Sequence, residues 1–172
     1  MGDLRSLSSL VNAEPSNENL AQIEKAINLD AVLSYMAASH YIDNTDGLSN
    51  NYYLSRTRQN PRFTFIPWDL DKTLMSLNAT AADDFFIRNR MMWRLYNEDD
   101  FYRAKYEAIY NDIAVKASPE LLNAFVDDLV EKLNNAFEAD PYLSGTGISL
   151  QKYGETLKDL FSKQYAILNT NR

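Results

Sequence analysis

The sequence predicts a mainly α-helical fold around one short β-hairpin. Apolar residues recur at helical spacing through most of the chain, whereas residues 51–67 contain two short aromatic-rich runs separated by the turn-forming segment TRQNP. The chain has 172 residues, of which 45% are hydrophobic, so it is long enough for one globular domain with a sizeable core. We therefore expect residues 1–172 to form a single domain.

Three helices are predicted in the N-terminal part, residues 1–42. Pro15 separates the first two, at residues 3–13 and 17–27, because proline disrupts the interior of a helix. Asn28 is a suitable N-cap for the third helix. Its apolar residues repeat at helical spacing and are expected in the core: Leu29, Val32, Leu33, Met36 and Ala37.

The middle part, residues 43–71, interrupts the helical pattern. The segment DNTDGLSN at residues 43–50 is rich in loop-forming residues and predicts a structured polar loop. The runs NYYLSR at residues 51–56 and RFTFIP at residues 62–67 are short and aromatic, and predict the two strands of the hairpin.

The chain after the hairpin is predicted to be helical. Ser118 followed by Pro119 is typical of a helix start, and the segment at residues 141–147 predicts a loop before the last helix. Together the helices make up the C-terminal part, residues 84–168. They are predicted at residues 84–97, 99–115, 118–138 and 149–168.

Composition excludes several classes of protein. A net charge of −7 without clustered Lys and Arg argues against a nucleic-acid partner and favours a basic one. The absence of cysteine excludes disulfides and thiolate metal sites. No apolar run reaches the roughly 18 residues of a membrane span, and the N-terminal residues lack the pattern of a signal peptide. We therefore expect no membrane segment in this chain.

Two aspartates follow the second predicted strand directly. Their segment, DLDKTL, matches the nucleophile loop of haloacid-dehalogenase phosphatases, in which Asp69 would attack phosphorus and Asp71 would act as general acid. That chemistry is carried by a parallel sheet of several strands. The chain after Asp71 predicts helices and no strands, which disfavours this alternative.

A second interpretation includes the polar loop. Asp46, Asn51 and Asp69 follow one another in the order that protein kinases use in their C-terminal lobe, with two short strands between the last two. Mg²⁺ prefers carboxylate and amide oxygens, and a hairpin can bring Asn51 and Asp69 to a shared metal. We predict that these two residues bind magnesium and nucleotide. Asp46 is the predicted proton acceptor, and Asp71 a further metal ligand if the backbone stays extended.

These segments also resemble a known family. Asn44–Asp46, Asn51–Leu54 and Pro67–Asp71 are similar to the corresponding motifs of CotH-type atypical protein kinases, which were first known from bacterial spore coats. The resemblance covers roughly residues 3–168 and is sharpest in the middle part. It implies a kinase-like C-lobe, a transferase that uses Mg²⁺ and ATP, and a protein substrate, such as a coat or surface protein, modified on Ser or Thr.

The sequence lacks the parts that cover ATP in a kinase. Its five glycines form no Gly-rich loop between strands, and neither Lys25 nor Lys72 lies in the strand context of the ATP-binding lysine. The N-lobe is therefore absent, and we expect the chain alone to be inactive. An alternative is a non-catalytic pseudokinase or interaction module, in which the carboxylates only tie the loop to the hairpin.

Two further side chains near these motifs are predicted to pack rather than to react. A Trp beside a buried turn usually belongs to the core, which is the expectation for Trp68. His40 has no Cys, His or carboxylate partner at the spacing of metal ligands.

Overall fold

A computed structural model describes residues 4–74, 81–143 and 146–170. Within these ranges it contains eight α-helices and one antiparallel pair of strands, which confirms the predicted mainly α fold with a single hairpin. Residue 3, where the first helix was predicted to begin, and residues 144–145 of the predicted loop lie outside the described residues.

The order of elements follows the predicted one except at residues 84–97, and the polar loop contains a 3₁₀ turn at Asp46–Leu48. The elements are α1 (Leu4–Asn12), α2 (Asn17–Ala26), α3 (Leu29–Tyr41), β1 (Tyr52–Ser55), β2 (Thr64–Pro67), α4 (Ala82–Phe86), α5 (Arg90–Asn97), α6 (Asp100–Lys116), α7 (Pro119–Ala139) and α8 (Leu150–Thr170).

The prediction of one helix over residues 84–97 is wrong, because the chain forms α4 and α5 with a break between them. Asn89 restarts the helix: its side-chain oxygen accepts a hydrogen bond from the backbone N–H of Met92 at 3.2 Å. Its amide group donates to the carbonyl oxygen of Leu48 at 2.9 Å. Asparagine is favoured at an N-cap and disfavoured inside a helix. The apolar repeat continues across Asn89, so the repeat by itself does not reveal that a new helix begins there.

The hairpin is fastened to the junction of α2 and α3. The backbone N–H of Asn28 donates to the carbonyl oxygen of Phe63 at 2.7 Å, and the N–H of Phe63 donates to that of Ala26 at 2.8 Å. These bonds form an isolated parallel bridge beside the antiparallel pair. The described residues hold no multi-stranded parallel sheet, so the phosphatase alternative lacks its scaffold.

The two faces of the hairpin differ in exposure. Tyr53 pairs with Ile66 in the register, and both side chains are exposed. The opposite face carries Phe65, which is buried and stacks on Tyr35 of α3 with ring centroids 5.1 Å apart. The alternation of strand side chains therefore directs one aromatic face into the core and leaves another at the surface.

The described residues divide into two compact units, one up to Ile113 and the other from Ala114 onward. The first unit contains the main core, to which α1 to α6 and the hairpin contribute. In the second unit, α7 and α8 pack closely at Gly154, where an added Cβ would lie 2.7 Å from Cγ2 of Val130. None of the described helices has both the length and the apolarity to cross a membrane.

A buried arginine fastens the C-terminal end of α1 to α5. The side chain of Arg94 is fully buried, and its Nη1 donates to the carbonyl oxygens of Leu10, Val11 and Ala13 at 2.6 to 3.3 Å. Its Nε donates to both carboxylate oxygens of Glu98, at 2.9 and 3.0 Å. The guanidinium thus satisfies carbonyl groups that the end of α1 leaves without helical partners.

Replacing Arg94 with Ala should lower the free energy of unfolding by about 3–5 kcal/mol. The substitution removes one partner of a buried ion pair and leaves the carbonyl oxygens at the end of α1 without the hydrogen-bond donor that Arg94 provides. Urea unfolding followed by circular dichroism measures the change. Lys25→Ala, at an exposed position of α2, is the matched control and should shift stability by about 0.5 kcal/mol or less. Equal effects of the two substitutions would contradict the role assigned to Arg94.

Candidate functional site

The polar loop is held in one conformation by its own side chains. The Asn44 side chain is buried, and its Oδ1 accepts a hydrogen bond from the N–H of Gly47 at 3.0 Å. The carbonyl oxygen of Gly47 accepts a hydrogen bond from the Tyr35 hydroxyl at 2.6 Å. The first is a local bond between a side chain and the backbone three residues on, of the kind that stabilises turns. Asp46 begins the 3₁₀ turn that these two hydrogen bonds brace.

The Asp46 carboxylate accepts hydrogen bonds from three side chains. Its Oδ2 accepts from Nδ2 of Asn51 at 2.8 Å and lies 3.2 Å from Nζ of Lys72. Its Oδ1 accepts from Nδ2 of Asn50 at 3.3 Å. The hydrogen bond with Lys72, followed by that with Asn50, lowers the pKa of Asp46, and the charge of Arg88 acts in the same direction. The carboxylate is therefore ionised at neutral pH.

Asn51 connects Asp46 to Asp69. Its Nδ2 lies 3.4 Å from the carbonyl oxygen of Asp69, and its own carbonyl oxygen accepts the N–H of Trp68 at 3.2 Å. The structure thus brings together the loop aspartate, the asparagine before β1 and the aspartate after β2. The hairpin register explains this, because Tyr52 pairs with Pro67 and so places the flanking residues at the same end.

The prediction of Asp71 as a further metal ligand required an extended backbone after β2, and the backbone is not extended there. Asp69 has φ = 54°, in the left-handed region, so the chain leaves the strand direction at that residue and continues as a turn. The side chain of Asp71 therefore does not follow the alternation of an extended strand. Its negative charge nevertheless reaches Lys72: the Asp46 carboxylate chiefly raises the pKa of the Lys72 ammonium, and Asp71 and Asp69 add to the effect.

The types of donor group at this end of the hairpin are ones that Mg²⁺ accepts when water or phosphate oxygens complete its coordination shell. Among the described residues there is no group of three His, Cys, Asp or Glu side chains placed to hold a metal alone. Mg²⁺ usually takes one or two carboxylates and completes its shell with water and phosphate oxygens. The carboxylate of Asp69 is a suitable ligand. The NH₂ group of Asn51 faces Asp46 and Asp69, which leaves its Oδ1 as the atom able to bind a cation.

The expectation that Trp68 lies in the core is wrong. Its side chain is 58% exposed and meets Tyr53, which is 55% exposed, edge to face with ring centroids 5.6 Å apart. Residues 64, 66 and 68 share one face of β2 and its extension, and that face points away from the core. The side chains of β2 alternate between its two faces, and Phe65 lies on the buried face. The two-residue spacing between Ile66 and Trp68 therefore predicts that both of them lie on the exposed face.

His40 packs in the core, as expected. It is buried against the rings of Phe85 and Tyr110, and its Nδ1 lies 2.6 Å from the hydroxyl oxygen of Tyr106. The residue that sequence reasoning missed is Lys72, which was considered only as an ATP-binding lysine. No spacing rule connects it to Asp46, because the contact exists only after the turn that follows β2 brings the ammonium back to the loop.

A shallow cleft of about 280 Å³ borders the loop on the side of α1 and α5. Ser49 and Tyr52 contribute to its wall, together with Arg88 and Arg90. Arg88 also acts electrostatically on Asp46. The loop therefore adjoins a recess lined by both polar and apolar side chains, as well as the exposed face of the hairpin.

Comparisons with known proteins point to one family. The model of the family described as CotH kinase protein matches residues 1–167. The chain is also 24% identical, over 137 residues, to the inner spore coat protein H of Bacillus subtilis strain 168. That match covers 77% of this chain and 38% of the relative, so the chain spans well under half of the length of that protein.

The tight turn at Gly47 generates a prediction. A Cβ at this position would collide with the amide group of Asn44 and lie 2.8 Å from its Cγ. Gly47→Ala should therefore displace Asn44 and cost about 1–3 kcal/mol in the free energy of unfolding, measured with urea. In the background of Asn44→Ala the obstructing atoms are gone, so the same substitution should cost less. Additive costs in the double variant would show that the collision is not the cause.

Proposed function

Because this chain belongs to the CotH kinase protein family, we propose that its loop and hairpin form the magnesium-binding and proton-accepting part of an ATP-dependent protein kinase acting on Ser or Thr. The observation that carries the proposal is the position of Asn51, which bonds the Asp46 carboxylate at 2.8 Å and approaches the Asp69 carbonyl at 3.4 Å. One amide thereby holds the candidate base next to the candidate metal ligands.

Each residue has a role that follows from its contacts. Asp46 is ionised and oriented by two amides, so it can align the acceptor hydroxyl and take its proton. Asp69 and Asn51 would hold the metal. Magnesium, when bound, neutralises the phosphate oxygens. Phosphoryl transfer depends mainly on such positioning and charge stabilisation, which a fixed loop and a short hairpin provide.

The exposed face of the hairpin supports a nucleotide as the ligand. Trp68 adjoins Asp69 in the chain, and Tyr53 lies two residues after Asn51, so the aromatic pair lies beside the proposed metal ligands. Stacking of a base on an aromatic ring contributes about 1–3 kcal/mol. Exposed aromatic side chains lower the solubility of a protein. A ligand or a second lobe that covers Trp68 and Tyr53 would explain why they are tolerated here.

We propose further that these 172 residues do not transfer phosphate by themselves. The five glycines, at positions 2, 47, 145, 147 and 154, provide no phosphate-covering loop, and Lys72 contacts Asp46 instead of lying in a strand. The acceptor is a protein. The relative is named as an inner spore coat protein, and we extend the proposal to a coat or surface protein as the acceptor.

A second candidate function is a non-catalytic interaction module. The observation that favours it is the set of internal hydrogen bonds on Asp46, which would equally tie the loop to the hairpin in a protein that binds no metal. Magnesium and nucleotide binding separate the two functions.

The proposal predicts a thermal shift. Mg²⁺ with a non-hydrolysable ATP analogue should raise the melting temperature of the chain, since a ligand at 100 times its Kd stabilises by about 2.7 kcal/mol. Asp69→Asn should abolish the rise because it removes a ligand charge, whereas Asp30→Asn, at an exposed position in the first turn of α3, should leave it unchanged. Trp68→Ala should reduce the rise with the nucleotide but not with magnesium tripolyphosphate. No rise in the unaltered chain would count against a magnesium and nucleotide site within these 172 residues.

A transfer assay tests whether these 172 residues transfer phosphate by themselves. Incubated with radioactive ATP and a protein rich in Ser and Thr, the 172-residue chain should label the acceptor no more than a blank does. Robust labelling that Asp69→Ala abolishes would show that the chain is complete as a kinase and would overturn this part of the proposal.

A further inference from the structure

Lys72 occupies an unusual position in the site. Its side chain is 59% exposed, yet its Nζ lies 3.2 Å from Oδ2 of Asp46, whose side chain is only 18% exposed. Oδ2 is the same oxygen that Asn51 holds at 2.8 Å. The ammonium group therefore lies over the carboxylate that the proposed function uses as proton acceptor.

The surroundings of this ammonium are strongly acidic. Asp46 is its nearest partner, and the carboxylates of Asp69 and Asp71 both act on it through space. Phosphate oxygens brought into this region would meet three carboxylates and would need more positive charge than Mg²⁺ alone supplies. Lys72 is already present there. A lysine on a flexible four-carbon stem can change partners, and its ammonium is a common ligand of phosphate.

From this geometry, and on the basis of the proposed function, we propose that Lys72 is a phosphate-binding residue that changes partner. Without nucleotide its ammonium pairs with Asp46. With magnesium nucleotide bound it moves to the terminal phosphate, and Oδ2 of Asp46 becomes accessible to the acceptor hydroxyl. No covalent step is involved, and Asn50 and Asn51 keep the carboxylate oriented after the lysine has left.

Calorimetric titration of the 172-residue chain with two probes tests this role. The probes are Mg²⁺–ADP and Mg²⁺ with a non-hydrolysable ATP analogue, which differ in the terminal phosphate. Lys72→Met should weaken binding of the triphosphate analogue about tenfold or more, as loss of a charge-assisted contact does, and change the affinity for ADP about twofold or less. Lys72→Arg should retain most of the discrimination. Lys25→Met, at an exposed position of α2, is the control and should change neither affinity.

The partner change predicts a coupling between Lys72 and Asp46. Asp46→Asn releases the ammonium, so it should strengthen binding of the triphosphate analogue more in the unaltered background than in the background of Lys72→Met. Equal gains would show that the lysine does not exchange Asp46 for phosphate and would overturn the inference.

The outcomes distinguish the inference from the function on which it rests. If the unaltered chain binds both nucleotides and Lys72→Met weakens them equally or not at all, the inference fails while the nucleotide site stands. If the unaltered chain binds neither nucleotide, the proposed function fails and the inference fails with it.

Discussion

Two backbone hydrogen bonds hold the hairpin against the junction of α2 and α3, from Asn28 to Phe63 and from Phe63 to Ala26. A two-stranded hairpin alone is at best marginally stable in water. Here the bridge and the stack of Phe65 on Tyr35 fix it on the helical core. The position of every proposed ligand depends on this attachment, because the ends of the strands carry them.

The same tyrosine couples the hairpin to the loop. Its ring packs against Phe65, while its hydroxyl bonds the carbonyl oxygen of Gly47. Asn51 also joins the loop to the hairpin, because its side-chain amide contacts both the Asp46 carboxylate and the carbonyl oxygen of Asp69. The loop and the hairpin are therefore oriented by shared contacts, which is the preorganisation that the proposed phosphoryl transfer would require. In an acidic chain such a cluster of carboxylates needs a cation, and Lys72 provides one within the chain.

The segment that follows β2 has a strained backbone and an exposed aromatic side chain. Asp69 takes a left-handed backbone conformation that costs energy for a residue other than glycine, and Trp68 beside it is largely exposed. A sequence selected for stability alone would avoid both features. Their occurrence next to the proposed metal ligands agrees with the general tendency of strain and exposed aromatic surface to collect at functional sites.

The sequence by itself determined the mainly α class, the helix order and the hairpin, because apolar periodicity, caps and turn residues act over a few neighbouring positions. Family motifs in the chain also indicated the residues of the candidate site. Only the tertiary structure decided the contact of Lys72 with Asp46, the hydrogen bond from Asn89 to Leu48 and the attachment of Arg94 to the end of α1. Each of these contacts joins residues that are distant in the chain. Packing between distant segments creates them, so they leave no local pattern in the sequence.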